Sequence, residues 1–250
     1  MLKGIYYILL VTLFMGCAHD RPEGKTEAEK LFKEAQDLYK DEKYLLATEK
    51  LNSIRSQHPY SFYATHAELM QADILFQQEN YIEAAAAYQV FRDLHPKNER
   101  LDYVMWKVAE SNYRQLPSTF DRDLSPAVEA IKYYEDLLNK YPNSSYISGA
   151  NEKIQNCKTL LMKKEKYIAD FYFKTEVYDA AIYRYDEIIR DFRDQEIKDH
   201  CAVRILQAAY KLKDIGKCKQ YSVKYMSEVT HQAKAEMVKT TEKCLNVNKE

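Results

Sequence analysis

Residues 35–59 read AQDLYKDEKYLLATEKLNSIRSQHP, and their spacing predicts two helices joined by a polar turn. Residues three or four positions apart are neighbours on a helix surface, so an apolar set with that spacing forms one face. Each helix has such a face, with a small residue first and larger residues after it: Ala35, Leu38 and Tyr39, then Ala47, Leu51 and Ile54. Pro59 ends the second helix, because proline has no N–H to donate and clashes with the preceding turn.

The same pattern recurs 37 residues later in residues 72–96, ADILFQQENYIEAAAAYQVFRDLHP. Five positions match at this single offset: Ala72, Ala84, Tyr88, Phe91 and Pro96. Small residues where two helices cross, followed by apolar residues and a closing proline, are typical of the tetratricopeptide (TPR) repeat. The sequence therefore predicts an all-α solenoid of TPR-type helix pairs.

Further copies of the pattern predict about five repeats in total. Repeat three has Ala109 and Ala130 at its small positions, but nine more residues separate them than in the earlier repeats. The extra residues fall at LPSTFDRDL, a composition that predicts an inserted loop. Repeat four follows a long helix from about Tyr146, and repeat five is degenerate, with Cys218 at a small position. We divide the folded part into repeats one to three (27–142) and repeats four and five with a terminal helix (143–250).

The amino-terminal segment has the features of an export signal. Residues 5–15, IYYILLVTLFM, follow Lys3 and form an apolar run too short to span a bilayer comfortably. The run leads to Gly16 and Cys17, and this junction resembles a bacterial lipobox. We expect residues 1–16 to be a cleaved signal peptide and Cys17 to carry covalent lipid, with residues 17–26 as a tether. Ala18, and not Asp, directly follows Cys17, which by resemblance to enterobacterial sorting rules permits export to the outer membrane, and we expect the protein at its periplasmic face.

The composition argues against several functional classes. Lysine and arginine total 37 against 38 acidic residues, which gives no nucleic-acid footprint. No two of the three glycines after Cys17 are close together, so no phosphate-binding loop is present. The six histidines are scattered and do not predict a metal site. We expect a protein that is not an enzyme and needs no cofactor beyond the covalent lipid.

The four cysteines after Cys17 leave two alternatives. They are small buried residues, as the alanine-like position of Cys218 favours, or they include a disulfide formed in an oxidising compartment. For the second alternative, Cys201 and Cys218 are the candidate pair, because they lie on the two helices of repeat five.

Several segments together resemble one family, the BamD lipoproteins of the outer-membrane β-barrel assembly machine. They are HPYSFYATHAEL at 58–69, HPKNERLDYVMW at 95–106, FDRD at 120–123, YPNSSYISGA at 141–150 and AAIYRYDEIIRDF at 180–192. The resemblance implies a scaffold without catalysis. Its amino-terminal repeats are expected to bind the targeting signals of unfolded outer-membrane proteins, and its carboxy-terminal repeats a POTRA domain of the insertase BamA.

The resemblance also assigns candidate residues. Arg184 matches the family's arginine in this helix and is the candidate for the BamA contact. Its guanidinium could pair bidentately with a carboxylate of the partner. The loop of Phe120, Asp121, Arg122 and Asp123 is the candidate contact for other lipoproteins of the machine. The candidates for an aromatic-ended substrate peptide lie in repeats one and two: Tyr44, Tyr60, Phe62 and Tyr63.

Two other functions fit parts of the sequence. A TPR lipoprotein of another envelope system, such as peptidoglycan remodelling or pilus and secretin assembly, would share the fold and the anchor but not the BamA contact. An envelope enzyme would need scattered carboxylates to converge in a cleft with perturbed pKa values.

Overall fold

A computed structural model describes residues 24–246, and it confirms the predicted all-α fold. Its helices, in chain order, are α1 (Glu27–Lys40), α2 (Tyr44–Gln57), α3 (Phe62–Gln77), α4 (Tyr81–Leu94), α5 (Leu101–Arg114), α6 (Ser125–Lys140), α7 (Ile147–Lys174), α8 (Tyr178–Asp191), α9 (Gln195–Lys211), α10 (Ile215–Tyr225) and α11 (His231–Leu245). The signal peptide, Cys17 and most of the predicted tether lie outside the described residues.

The chain forms two compact units, one through Val104 and one from Met105 onward. In the first unit α1 packs on α2, α2 on α3 and α3 on α4, and α1 also contacts α3. In the second unit each helix from α6 to α10 packs on the next, and α11 packs on both α9 and α10. Pairing along the chain together with contact between the first helices of adjacent repeats is the TPR arrangement.

The small residues that predicted the repeats lie at the helix crossings. Ala35, Ala47, Ala72 and Ala84 are fully buried in the first unit. Ala109, Ala130, Ala169 and Ala181 are fully buried in the second. A methyl side chain at these positions lets two helix backbones approach closely, and this close approach sets the register of each pair.

The turns inside four repeats share one backbone motif. Glu42, Glu79, Glu176 and Lys213 have positive φ angles of 57–64° and each lies five residues before the second small residue. At the first turn the Glu42 N–H bonds to the Tyr39 carbonyl and the Lys43 N–H to the Leu38 carbonyl. This pair of bonds is a Schellman motif, which closes the carboxyl end of the first helix of the repeat. Its left-handed position favours glycine, yet this chain uses long charged residues there.

The predicted insertion and the long helix of repeat four are both present. Residues 115–124 connect α5 and α6, and α7 is a continuous helix of 28 residues. The predicted terminal helix is present as well and begins at His231.

The disulfide pairing differs from the candidate pair in the sequence. Cys218 is bonded to Cys244, while Cys201 and Cys157 are free thiols buried in the second unit. The Cys201–Cys218 candidate is therefore wrong. The repeat pattern could not reveal the observed pair, because α11 lies outside the pattern and its fold back onto α9 and α10 brings Cys244 to Cys218. Burial raises the pKa of the Cys201 thiol to about 12, so this thiol stays protonated near neutral pH.

Candidate functional site

The four aromatic residues predicted to contact a substrate peptide fall into two groups. Tyr44 is half-buried and packs edge-to-face on Tyr39 at 5.7 Å between ring centroids. Tyr63 packs on Phe32 at 5.5 Å and borders the core of the first unit. Tyr60 and Phe62, by contrast, are exposed, Phe62 to 72%. Tyr60 and Phe62 are therefore accessible to a ligand, whereas Tyr44 and Tyr63 mainly pack within the repeats.

Phe62 is held at the start of α3 by local structure. The Ser61 hydroxyl accepts a hydrogen bond from the Tyr63 N–H and so caps the helix. The His66 ring lies one turn further on and packs against the Phe62 ring in a tilted arrangement, with 4.2 Å between ring centroids. A large apolar side chain is thus fixed in solvent at a helix start.

Phe62 borders a groove that sequence reasoning did not locate. Two adjoining cavities of about 410 and 320 Å³ lie between the start of α3 and the junction from α4 to α5. Leu69 and Phe91 line the smaller cavity, and Leu94 and Pro96 line the larger one. The junction belongs to the HPKNER segment, which carried the family resemblance but was not predicted to contain a binding site.

One rim of the groove carries three exposed charged residues, the cations Lys97 and Arg100 with the anion Glu99 between them. Lys97 and Arg100 are both exposed, and the Arg100 guanidinium lies 4.4 Å from the centre of the Tyr103 ring. The Arg100 N–H donates to the Asn98 side chain at 2.9 Å, which fixes this turn. An apolar groove beside two cations suits an apolar or aromatic side chain that neighbours a carboxylate.

Arg184 lies on α8 and already has partners within the chain. Its Nη1 atom is 3.4 Å from Glu165 Oε2 and 3.8 Å from Glu187 Oε2, and its side chain is 38% exposed. Neither contact is bidentate or short, so the guanidinium keeps donors for a further carboxylate.

The FDRD loop is anchored to the second unit. The Phe120 ring lies 5.7 Å from the Tyr167 ring of α7, and Lys164 Nζ donates to the Arg122 carbonyl at 2.9 Å. Asp123 accepts from both the N–H and the hydroxyl of Ser125, and these hydrogen bonds lower the pKa of its carboxyl. The side chains of Asp121 and Arg122 remain exposed in this fixed loop.

A series of carboxylates at the repeat seams was missed in the sequence. Asp73 Oδ1 accepts from the hydroxyls of Tyr88 and Tyr103, each at 2.6 Å. In repeat four, Asp170 Oδ1 accepts from Tyr185 at 2.5 Å and lies 3.2 Å from His200 Nε2. Each carboxylate directly follows the first small residue of its repeat and binds the buried tyrosine of the second helix.

Glu110 is the third member of the series and accepts from the Tyr134 hydroxyl and from Lys153. Burial acts to raise its pKa, but the hydrogen bonds from Lys153, Arg114 and Tyr134 outweigh burial and lower it. Hydrogen bonds likewise outweigh burial at Asp170 and lower its pKa. Ionised carboxylates of this kind link repeats, whereas a general acid needs a raised pKa.

Within residues 24–246, no group of three or more histidine, cysteine, aspartate or glutamate side chains is placed to hold a metal ion. Within the same residues, no helix is long and apolar enough to cross a membrane.

Helix pairs with buried alanines at the crossings define a TPR-type helical-repeat protein. A family model described as "YfiO: Outer membrane lipoprotein" matches residues 24–225. The chain belongs to this family of outer membrane lipoproteins, as its resemblance to BamD in sequence indicated.

Curated relatives agree with the family match. Outer membrane protein assembly factor BamD of Rickettsia prowazekii is 31% identical over 192 residues, which cover 77% of this chain and 76% of that protein. The protein of the same name in Vibrio cholerae is 27% identical and covers 76% of this chain and 83% of its own length. The Neisseria gonorrhoeae protein is 29% identical, with coverage of 74% and 73%.

Proposed function

We propose that this chain is a non-catalytic scaffold in the assembly of outer-membrane proteins. Family membership over residues 24–225 supports a role in outer-membrane protein assembly. The groove beside Phe62 is the structural observation that supports peptide binding as the way in which the scaffold acts. The lowered pKa values of Glu110 and Asp170 favour a structural role for these carboxylates over acid catalysis.

In this proposal the groove binds the targeting signal of an unfolded outer-membrane protein. An aromatic side chain of the signal packs against Phe62 and Leu94, where it removes exposed apolar surface on both molecules from water. A carboxylate of the signal then lies near Lys97 and Arg100 and gains charge-assisted hydrogen bonds. Tyr60 is exposed just before α3 and is the second aromatic contact that we retain.

Arg184 is the proposed contact with a POTRA domain of BamA. Its long contacts to Glu165 and Glu187 hold the side chain near the surface of α8. A carboxylate of the partner could replace them with a bidentate pair, which is shorter and stronger. The loop at Phe120, Asp121, Arg122 and Asp123 is the proposed contact with another lipoprotein of the assembly.

A lipid anchor at the amino terminus is part of the proposed function. Lipid on Cys17, after removal of residues 1–16, would anchor the chain at the periplasmic face of the outer membrane, because two acyl chains already suffice for stable anchoring.

Affinity purification tests the assembly contact. The tagged full chain is recovered from detergent-solubilised envelopes, and co-purified proteins are identified by mass spectrometry. We expect a POTRA-bearing barrel protein with the wild-type chain and much less of it with Arg184→Ala. Arg190→Ala is the matched control, because Arg190 lies on the same helix and also pairs with Glu187. Recovery of peptidoglycan enzymes or secretins without a POTRA protein would contradict the proposal.

Peptide binding tests the groove separately. A fluorescent pentapeptide ending in phenylalanine with a free carboxylate should bind the wild-type chain and lose affinity with Phe62→Ser or Lys97→Glu. Leu45→Ser is the control, because Leu45 is 73% exposed in the same unit but lies outside the groove. Equal binding by Phe62→Ser and Leu45→Ser would exclude the groove as the site.

A further inference from the structure

Residues 211–246, in the second unit, carry a surplus of positive charge. This region contains eight lysines and four acidic residues, whereas residues 24–104 contain ten basic and fourteen acidic residues. The whole chain has a formal net charge of -1, so the charges are segregated along it. Such an asymmetry indicates an interaction with an anionic partner.

Several of these lysines come together where α11 meets the turn between α9 and α10. The Cys244 Sγ atom lies 3.9 Å from the Asp214 carbonyl oxygen, and Cys244 is bonded to Cys218 with 6.5 Å between the Cα atoms. Each of these three residues has a lysine beside it in the sequence, and two more lysines lie within one helical turn of those. We call these five exposed residues the lysine cluster: Lys211, Lys213, Lys219, Lys239 and Lys243.

The lysine cluster is not neutralised by the rest of the described chain. Within residues 24–246, none of its five side chains forms an ion pair or a hydrogen bond. The Asp214 carboxylate pairs instead with Lys217 at 3.2 Å, and Lys217 also pairs with Asp179 at 2.7 Å. Glu242 is exposed beside Lys243 and offsets one of the five charges. The cluster therefore keeps a surplus of positive charge.

Local helix structure explains only part of the cluster. The helix dipole favours Lys211 and Lys243, which lie in the last turns of α9 and α11. It does not account for Lys213 in the turn or for Lys219 in α10. The turn at Lys213 has a positive φ of 57°, and the equivalent turns of three other repeats have the same conformation with glutamate: Glu42, Glu79 and Glu176. The turn therefore differs from its equivalents in charge and not in conformation.

The choice of lysine indicates the kind of anionic partner. All eight cations of residues 211–246 are lysines, and none is arginine. Specific interfaces between proteins are enriched in arginine, whose planar guanidinium pairs bidentately, and are depleted in lysine. Ammonium groups on flexible stems suit a diffuse anionic surface, and clusters of them bind membranes that contain anionic lipids. The chain belongs to a family of outer membrane lipoproteins, so a membrane surface is within its reach.

We propose that the lysine cluster binds the anionic lipid headgroups of the membrane, as a second contact besides the lipid proposed on Cys17. This contact goes beyond the proposed function, because it requires neither the groove beside Phe62 nor a POTRA partner. Each lysine close to an anionic surface strengthens binding about fivefold. A cluster of five therefore holds the second unit at the membrane surface.

Lysine footprinting of the full chain in lipid nanodiscs tests this inference. The chain is acetylated briefly in discs of phosphatidylcholine and in discs with about one third phosphatidylglycerol, and the modification of each lysine is measured by mass spectrometry. We expect the cluster to react about threefold more slowly in the anionic discs, because bound ammonium groups are shielded from the reagent. Salt at about 0.5 M should remove this difference. Lys132 and Lys140, which are exposed on α6, should react equally in both discs.

A charge-reversal variant separates the cluster from a general attraction to the membrane. Lys213→Glu with Lys243→Glu should abolish the protection of the other three lysines of the cluster. The fold tolerates Lys213→Glu, since glutamate occupies the same position in three other turns. The same charge change on α6, Lys132→Glu with Lys140→Glu, is the matched control and should leave the protection unchanged.

Three results would overturn the inference. Equal reactivity of the cluster in neutral and anionic discs would exclude binding to lipid headgroups. Protection that persists in the variant with Lys213→Glu and Lys243→Glu would exclude the cluster as its cause. Protection without lipid that grows with protein concentration would assign the cluster to a second copy of the chain, whose acidic first unit would be the complementary surface.

Discussion

Removal of the Asp73 carboxylate should destabilise the first unit by a predictable amount. Asp73 Oδ1 accepts hydrogen bonds from Tyr88 and Tyr103, and the Tyr88 side chain is fully buried. A hydrogen bond to a charged acceptor contributes about 1.5 kcal/mol at the lower end of its range. Because Asp73→Ala removes the acceptor of two such bonds, it should lower the free energy of unfolding by about 3 kcal/mol.

Urea denaturation followed by circular dichroism at 222 nm measures this effect, and a double-mutant cycle assigns it. In a Tyr88→Phe, Tyr103→Phe background the hydroxyls are gone, so Asp73→Ala should cost less than about 1 kcal/mol. Asp93→Ala, at an exposed residue on α4, is the control and should change stability by less than about 0.5 kcal/mol. Full destabilisation by Asp73→Ala in the double-phenylalanine background would refute the tyrosine seam as its cause.

Three further changes follow from the same structure. Glu79→Gly should raise the free energy of unfolding by about 0.5 kcal/mol in urea titrations, because glycine relieves the positive φ of 61° at some cost in chain entropy. The control Glu83→Gly, within α4, should lower the free energy of unfolding by about 1 kcal/mol. A lower free energy of unfolding for Glu79→Gly would contradict backbone strain at this position. Cys218→Ala with Cys244→Ala should lower the midpoint of thermal unfolding, because a disulfide that spans 26 residues contributes up to about 3.5 kcal/mol to stability. An equal midpoint of the wild-type chain with and without dithiothreitol would exclude a stabilising role of this disulfide. The pKa of Glu110 is lowered on folding, so its contribution to stability is complete above the ordinary pKa of 4.5 and declines as the pH falls towards the pKa of the folded state. In denaturation experiments between pH 3 and 7, Glu110→Gln should therefore lower the free energy of unfolding by a constant amount near neutrality and by less in acid. A loss of stability that does not depend on pH would contradict this prediction.

The repeat architecture could be predicted because its determinants are local and recur. Ala47 and Ala84 lie at the same repeat position, and both are fully buried where two helices cross. The inserted loop before α6 changed the spacing between Ala109 and Ala130, so it too was visible in one sequence. Such features need only the periodicity of a helix and the size of a side chain.

The seam carboxylates have a recognisable pattern in the sequence, although the helix-pair repeat alone does not predict it. Asp73, Glu110 and Asp170 each directly follow the first small residue of a repeat. A buried tyrosine occupies the second helix of each of these repeats, and a lone tyrosine hydroxyl in a core needs a partner. The repeated acid and the repeated tyrosine together predict the hydrogen bond that the structure contains.

The groove and the disulfide depend on tertiary packing that the repeat pattern does not encode. Phe62 and Leu94 are separated by two helices, and their approach follows from how α3 meets the junction after α4. Cys218 meets Cys244 because α11 folds back on α9 and α10. Neither contact has a sequence spacing that distinguishes it from others.

Depletion of this chain in its own cells tests the proposed assembly function most directly. With expression under a repressible promoter, the fraction of folded, heat-modifiable barrel proteins in the outer membrane is measured by gel mobility and mass spectrometry. We predict that this fraction falls as the chain is depleted and that the wild-type chain restores it, while Phe62→Ser restores less than Leu45→Ser. Unchanged levels of folded barrel proteins after full depletion would contradict a role in their assembly.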